Sequence, residues 1–499
     1  MRSSPLLARI GAAALCLAAA LPVSAQEISE RLVEYKLDNG MTFLVYPREG
    51  APVFAATTSV SVAGVDEVYG ETGVAHMFEH MAFKGTHRIG TTNLAAELPI
   101  MEEMDRLAEE ARAELGKNQP DRAKVEELRA GIRKLQEQQA AFIVKDEFDS
   151  IMQREGATGI NASTSADFTN YYASLPSNKL ELWFWLEADR MRQPIMREFY
   201  SERDVVREER RQRTDDSPFG LLYEKFTTTV FAAHPYGKPI IGWESDIESI
   251  TRPMAEEFRK KFYGPRSVAV AIVGNVDPEE VKRLADKYFG TWDAPGAPQR
   301  LAVREPAPRA EARVSVEFDA EPSMIIGWLK PTSPSDDDAA FTILGSVLGD
   351  GRTSRFYRAL VVEKQMAVSV DASNGTPGDK YMNAFAIFAT PKAPHSVFDL
   401  EKEIYAILEE VAENGVTERE LERARNNVEA GFIRLAGSNM GLATTLAQAH
   451  HQLGDARLLE QERDRLLAVT SEDIQRVVKQ YLTRNNRTVA WLERPEAAQ

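Results

Sequence analysis

Alternating apolar and polar positions from about Glu27 to Pro47 break at Asp38-Asn39-Gly40, which predicts a β-hairpin turning on the Asn-Gly pair. Val53 to Val65 reads as a second strand region, and Gly73 to Phe83 has a helical pattern. From about Ala95 to Gln139 the chain is dense in Glu, Arg, Lys, Leu and Ala, with one break at Gly116 to Pro120. This predicts two antiparallel helices, a hairpin inserted at about 95–145 whose charge pattern reads first as a solvated spacer and second as a partner-binding arm. Gly156 to Ser174 reads as strand, Asn178 to Arg192 and Glu202 to Arg213 as helices, and Val268 to Gly274 as a buried strand followed by a helix from Pro278 to Tyr288.

Prolines 295, 298, 306 and 308 interrupt all periodicity and mark a linker at 294–310. A signature repeats on its two sides. Ile250-Thr251 leads through a helical stretch to the strand Val268 to Ala271, and Val469-Thr470 leads likewise to Thr488 to Trp491. The match predicts a duplication. The expected fold is α+β: two homologous halves at 26–293 and 311–499, each a sheet with helices packed on one face, enclosing a cleft.

Composition changes this picture in two places. The 499 residues carry a formal net charge of −16, which argues against nucleic acid as a partner because phosphate binding needs a basic face. Arg2 and Arg9, the apolar run Ile10 to Leu21 and the small-x-small site at Val23-Ser24-Ala25 read as a cleaved export signal over 1–25. That run is too short to span a bilayer, and no later stretch is long enough. The only cysteine, Cys16, lies inside the signal, so the mature chain has neither disulfides nor thiolate ligands. A periplasmic location is expected, with secretion as the second choice.

The chemistry is concentrated in His76-Met77-Phe78-Glu79-His80. Histidines four apart share one helix face, about 6 Å apart along the axis, and can reach one tetrahedral Zn²⁺ at about 2.0–2.1 Å. Glu79 flanks that face and is placed to take a proton from a zinc-activated water, then pass it to a leaving amine. A third protein ligand is required. On a helix, Glu202, Val205, Val206 and Glu209 form one stripe, and an inward carboxylate wants a cation. Either Glu209 or Glu202 is then the ligand, with the other in support. Of the remaining histidines, His234 in its Pro-Tyr-Gly turn reads as structural, His450 and His451 have no partner motif, and His87 and His395 read as exposed.

These residues, with Gly159 to Thr164 and the two-half organisation, resemble the pitrilysin, insulinase and mitochondrial processing peptidase family, whose inverted zinc motif is H-x-x-E-H. The resemblance covers nearly the whole mature chain. It implies one zinc held by His76, His80 and Glu209, with Glu202 supporting catalysis, and an edge strand at Asn161 and Ala162 that pairs with the substrate backbone. It implies a zinc endopeptidase acting on unfolded peptides. Single-unit members carry an Arg and a Tyr seven apart in the second half, and here those places hold Val361 and Val368. Valine cannot donate to a scissile carbonyl. The implied arrangement is the zinc-bearing subunit of a heterodimer whose partner brings the Arg/Tyr pair. The alternative is a non-catalytic scaffold or peptide-binding subunit of the same fold, a class that usually loses the motif.

Overall fold

The computed structural model describes residues 28–296 and 300–495, so the expected export segment and residues 297–299 of the expected linker lie outside it. The first hairpin forms as patterned. Strands β1 (Val33–Lys36) and β2 (Thr42–Pro47) pair antiparallel around Gly40, whose φ of 96° is the left-handed value the turn requires. Strands β3 (Val53–Val60), β4 (Thr158–Thr164), β5 (Thr169–Pro176) and β6 (Val268–Gly274) complete a six-stranded sheet in the order β1-β2-β6-β3-β5-β4. The second sheet, of β7 (Ala312–Glu317), β8 (Met324–Lys330), β9 (Ala367–Thr376), β10 (Asn383–Pro391) and β11 (Arg487–Glu493), runs β7-β11-β8-β10-β9.

Without β1, the two orders superpose strand for strand. In each sheet the last strand of the half inserts parallel to the first and antiparallel to the second. The repeated helix-strand signature is the same device in both halves: helix Arg252–Phe262 delivers β6, and helix Ser471–Tyr481 delivers β11. Each half therefore repeats one topology, with β4 and β9 as free edges.

Every residue of β6 and of β8 is buried, the pattern of strands covered on both faces. One face of each sheet carries its own helices: Phe43, Phe54, Val270 and Ile272 meet helix Leu180–Arg192, and Ile326 and Trp328 meet helix Asp336–Gly349. The other face takes a helix from the opposite half. Leu442, Ala443, Leu446 and Ala447 of helix Asn439–Leu453 pack against Leu44, Ala271 and Val273 of the first sheet. Leu222, Phe226 and Val230 of helix Pro218–Val230 pack against Ile325, Leu329 and Ala490 of the second. Gly327 admits this exchange, because a Cβ there would stand 2.3 Å from the Phe226 ring.

The halves are thus interlocked by two lent helices rather than merely facing each other. His451 rides on one of them, donating from Nε2 to the Ser59 carbonyl at 2.9 Å and stacking on Phe168, which accounts for it as packing. His234 is likewise structural, capping its turn by accepting from the Tyr236 N–H, and His87 is exposed. His395 is half-buried rather than exposed.

The inserted hairpin consists of helices Leu94–Leu115 and Arg122–Gln139. It is not a free spacer. Its inner face docks on the first half through Arg252 and Tyr200 to Asp105, through Arg129 to Glu248, and through the fully buried Glu97.

Candidate metal centre

The motif folds as helix Val74–Met81, with Val74, Met77, Phe78 and Met81 buried in the first core. Its start is fixed by Gly73 and Glu67. Gly73 has φ 91°, and a Cβ there would lie 2.6 Å from the Ile241 carbonyl oxygen. The buried Glu67 carboxylate accepts from the N–H groups of Gly73 at 3.0 Å and Ala75 at 2.8 Å, satisfying donors that the helix start leaves free. Burial pushes the Glu67 carboxyl up, while those donors and the adjacent Lys238 pull it back. Gly73→Ala is expected to lower the free energy of unfolding by about 2 kcal/mol or more, combining left-handed strain with a backbone collision. Denaturant unfolding checks this; an unchanged midpoint would refute it.

The acidic stripe forms on helix Phe199–Arg210, but its buried arc is centred on Phe199, Arg203, Val206 and Arg210. Val205 is 51% exposed, so it does not face inward as expected. Glu202 and Glu209 sit at the edge of the arc, where the core meets the motif helix. At about 100° per residue, Val205 falls one step beyond that edge.

The structure brings His76, His80 and Glu209 together. One ligand atom from each lies within 4.8 Å of the others. His76 Nε2 is 3.7 Å from Glu209 Oε1, and His80 Nε2 is 3.6 Å from Glu209 Oε2. A tetrahedral ion with bonds of about 2.0–2.1 Å separates its ligands by roughly 3.3 Å, so the donor set and spacing fit zinc. Glu202 takes a different position: its Oε1 lies 2.9 Å from His80 Nδ1, the ring nitrogen turned away from the trio, and its Oε2 lies 2.7 Å from Lys84 Nζ. That arrangement orients the His80 ring and its tautomer.

The electrostatics follow from these contacts. Burial, then His80 and Arg213, push the His76 imidazole down to about 3, so it is neutral at pH 7 with a lone pair to give. Burial also opposes charge on His80, but Glu202, Glu209 and Glu79 outweigh it and raise the imidazole above its ordinary value. Burial works against the Glu202 carboxylate too, yet His80 and Lys84 hold it down to about 2. Glu79 is pushed up by burial, against the hydroxyl of Thr164, which donates to Glu79 Oε2 from the end of β4.

Thr164, Lys84 and Arg213 were not singled out from sequence. Arg213 lies in the irregular turn 211–215 and pairs with Glu209 at 2.6 Å. The only signal for Thr164 was its place in the Ser/Thr-rich run after Asn161. Asn161 is exposed on the edge strand β4, and its side-chain oxygen accepts from the Ala162 N–H at 2.8 Å. Beside His76 a cavity of about 350 Å³ opens, lined by Thr164, Phe219, Tyr223, Ile241 and, from the second half, Pro377. Val361 packs against the second core, and Val368 is 62% exposed on β9; neither offers a polar side-chain atom.

Residues 143–244 match the family described as insulinase (peptidase family M16), and residues 249–428 match the peptidase M16 inactive domain. The zinc protease PqqE of Helicobacter pylori is 28% identical over 98% of this chain and 97% of its own length. An uncharacterized zinc protease of Mycobacterium leprae is 28% identical over 65% of this chain and 73% of its own. Among solved structures, a protease from Helicobacter pylori superposes with a TM-score of 0.76 at 27% identity, covering 93% of this chain and 99% of that one. The periplasmic protease PqqL of Escherichia coli shares the fold, with a TM-score of 0.68 at 16% identity, but this chain spans 48% of its length. The duplicated topology, the converging trio and these likenesses together lead to one conclusion: the chain belongs to the pitrilysin–insulinase family, peptidase family M16.

Proposed function

We propose that this chain is a zinc endopeptidase for unfolded peptides, with His76, His80 and Glu209 as ligands and Glu79 as general base. The observation that carries the reading is the convergence of those three donors beside a carboxylate that is not part of the trio. Zinc bound there supplies a Lewis acid that makes water acidic enough to yield hydroxide near neutral pH. Glu79 takes the proton as the water oxygen adds to the scissile carbonyl, and hands it to the amine nitrogen as the C–N bond breaks. Thr164 fixes the Glu79 carboxylate for that transfer, and Glu202 fixes His80.

The free edge of β4 at Asn161 and Ala162 takes the substrate main chain as an added strand, the Asn161 side chain yielding the Ala162 N–H to it. The apolar cavity beside His76 takes a neighbouring side chain. Backbone pairing demands an extended segment, which restricts clients to unfolded ones. Residues 1–25 act as the export signal, 26–293 as the zinc-bearing half and 311–499 as its metal-free counterpart, in a protein of the periplasm.

A second subunit completes the enzyme by bringing an Arg/Tyr pair that Val361 and Val368 do not supply. The length relation to PqqL, of which this chain spans about half, supports pairing of two such units. The scaffold reading draws on the match to an inactive domain, but that match, over 249–428, contains none of the trio. The test is hydrolysis of a quenched, unstructured peptide by the zinc-loaded mature chain, with homologous chains carrying the Arg/Tyr pair added. The reading expects cleavage that a chelator stops and the partner raises. No cleavage in any combination would favour the scaffold.

A further inference from the structure

Arg197 is 1% exposed and Glu97 fully buried, and neither has a part in the chemistry above. Arg197 Nε donates to Glu97 Oε1 at 3.1 Å, and Gln139 Nε2 donates to the same oxygen at 2.9 Å. Both Glu97 and Gln139 belong to the inserted hairpin. The rest of the guanidinium is spent on one loop: Nη1 donates to the carbonyls of Lys84 at 2.9 Å and Ile89 at 2.8 Å, and Nη2 to that of Thr86 at 2.9 Å.

The loop is shaped around this side chain. Gly85 and Gly90 have φ of 95° and 91°, and a Cβ on either would lie 2.6 or 2.7 Å from Arg197 Nη1. A buried cation that serves three carbonyls and one carboxylate needs the planar fork of arginine.

What matters is where the loop and Arg197 sit. The loop follows the motif helix directly, and Lys84, whose carbonyl Arg197 holds, sends its ammonium to Glu202 and so to His80. Arg197 itself stands two residues before the helix that carries Glu202 and Glu209. It therefore pins the end of one ligand-bearing helix to the start of the other, and the inserted hairpin supplies its counter-charge.

We propose that Arg197, held by Glu97 of the hairpin, is a positioning residue of the metal centre, and that the insertion is a brace setting the angle between the two ligand helices. This rests on the zinc reading above. Loss of partners around a ligand sphere costs about 10–100-fold in metal affinity.

The test is zinc affinity by chelator competition, alongside thermal unfolding of the metal-free chain. Arg197→Lys keeps the charge opposite Glu97 but loses the fork. The double variant Glu97→Gln/Arg197→Met leaves no buried charge unpaired, and so keeps the question open to measurement if the lysine variant does not fold. Arg313→Lys, at the Arg313–Glu401 pair of the second half, controls for general destabilisation.

Zinc bound about 10–100-fold more weakly by the folded Arg197 variants, with wild-type affinity in the control, is the expected result. Wild-type zinc affinity in either folded Arg197 variant, or a loss matched by the control, overturns the inference. A wild-type chain that takes up no zinc overturns the zinc reading itself, a failure recognisable before any variant is compared.

Discussion

Glu79→Gln is expected to retain zinc and the native fold while losing about 10²–10⁴-fold in kcat for peptide cleavage, the range general acid–base catalysis contributes. The substitution is close to isosteric, and the amide can still accept the Thr164 hydroxyl through its oxygen. Glu79 is not within the trio, so a zinc ion held there would keep all three proposed protein ligands. On the proposed mechanism, what disappears is the group that carries the proton from water to the leaving amine. Burial also holds Glu79 above the ordinary carboxyl range, the direction that makes a carboxylate a better base near neutral pH. Zinc content by elemental analysis and turnover of a quenched peptide, on the same preparations, check the prediction. A variant with undiminished turnover would remove Glu79 from the mechanism; one that lost its zinc would make it a ligand.

The second large effect separates the two acidic residues that helical periodicity left equivalent. Glu209→Gln removes the only anionic donor of the trio and is expected to weaken zinc by more than about 100-fold, with activity falling in step at limiting metal. Glu202→Gln is expected to cost only about 10–100-fold, because it loosens His80 without vacating a coordination position. Equal losses would contradict the assignment of one as ligand and the other as orienting group. Zinc affinity should also rise with pH. His80 is raised above its ordinary value in the metal-free chain, so below that pKa zinc must displace its proton, and above it the competition ends. Calorimetry in buffers of different ionisation enthalpy reports the released proton; a pH-independent affinity would contradict the account.

The motif helix was legible because its message is local. Two histidines four apart and a glutamate between them define a face whatever surrounds the helix, and the structure brings that face to Glu209. The choice between Glu202 and Glu209 was not local. Both lie at the edge of one buried arc, and only the position of the motif helix decides which reaches the open side of His80. The apolar run of β6 announced a strand buried on both faces, but not that one face is covered by a helix from beyond residue 438.

Helix Asn439–Leu453 reads like any stretch rich in small apolar residues, since nothing in its own pattern states its partner. The hairpin's surface charges suggested a spacer, and the buried Glu97, Asp105 and Glu114 look no different in sequence from the many exposed acids around them. Arg197 is the extreme case. Its meaning lies in three carbonyls more than a hundred residues earlier in the chain, and two glycines at 85 and 90 are the only trace the sequence carries.

The account rests most directly on the metal, which crystals of the mature chain grown with zinc would locate by anomalous diffraction measured on both sides of the zinc absorption edge. A single strong peak is predicted, within about 2.2 Å of His76 Nε2, His80 Nε2 and a Glu209 carboxylate oxygen. No peak there, or a peak held instead by Glu202, would contradict the central claim that these two helices form a zinc peptidase centre.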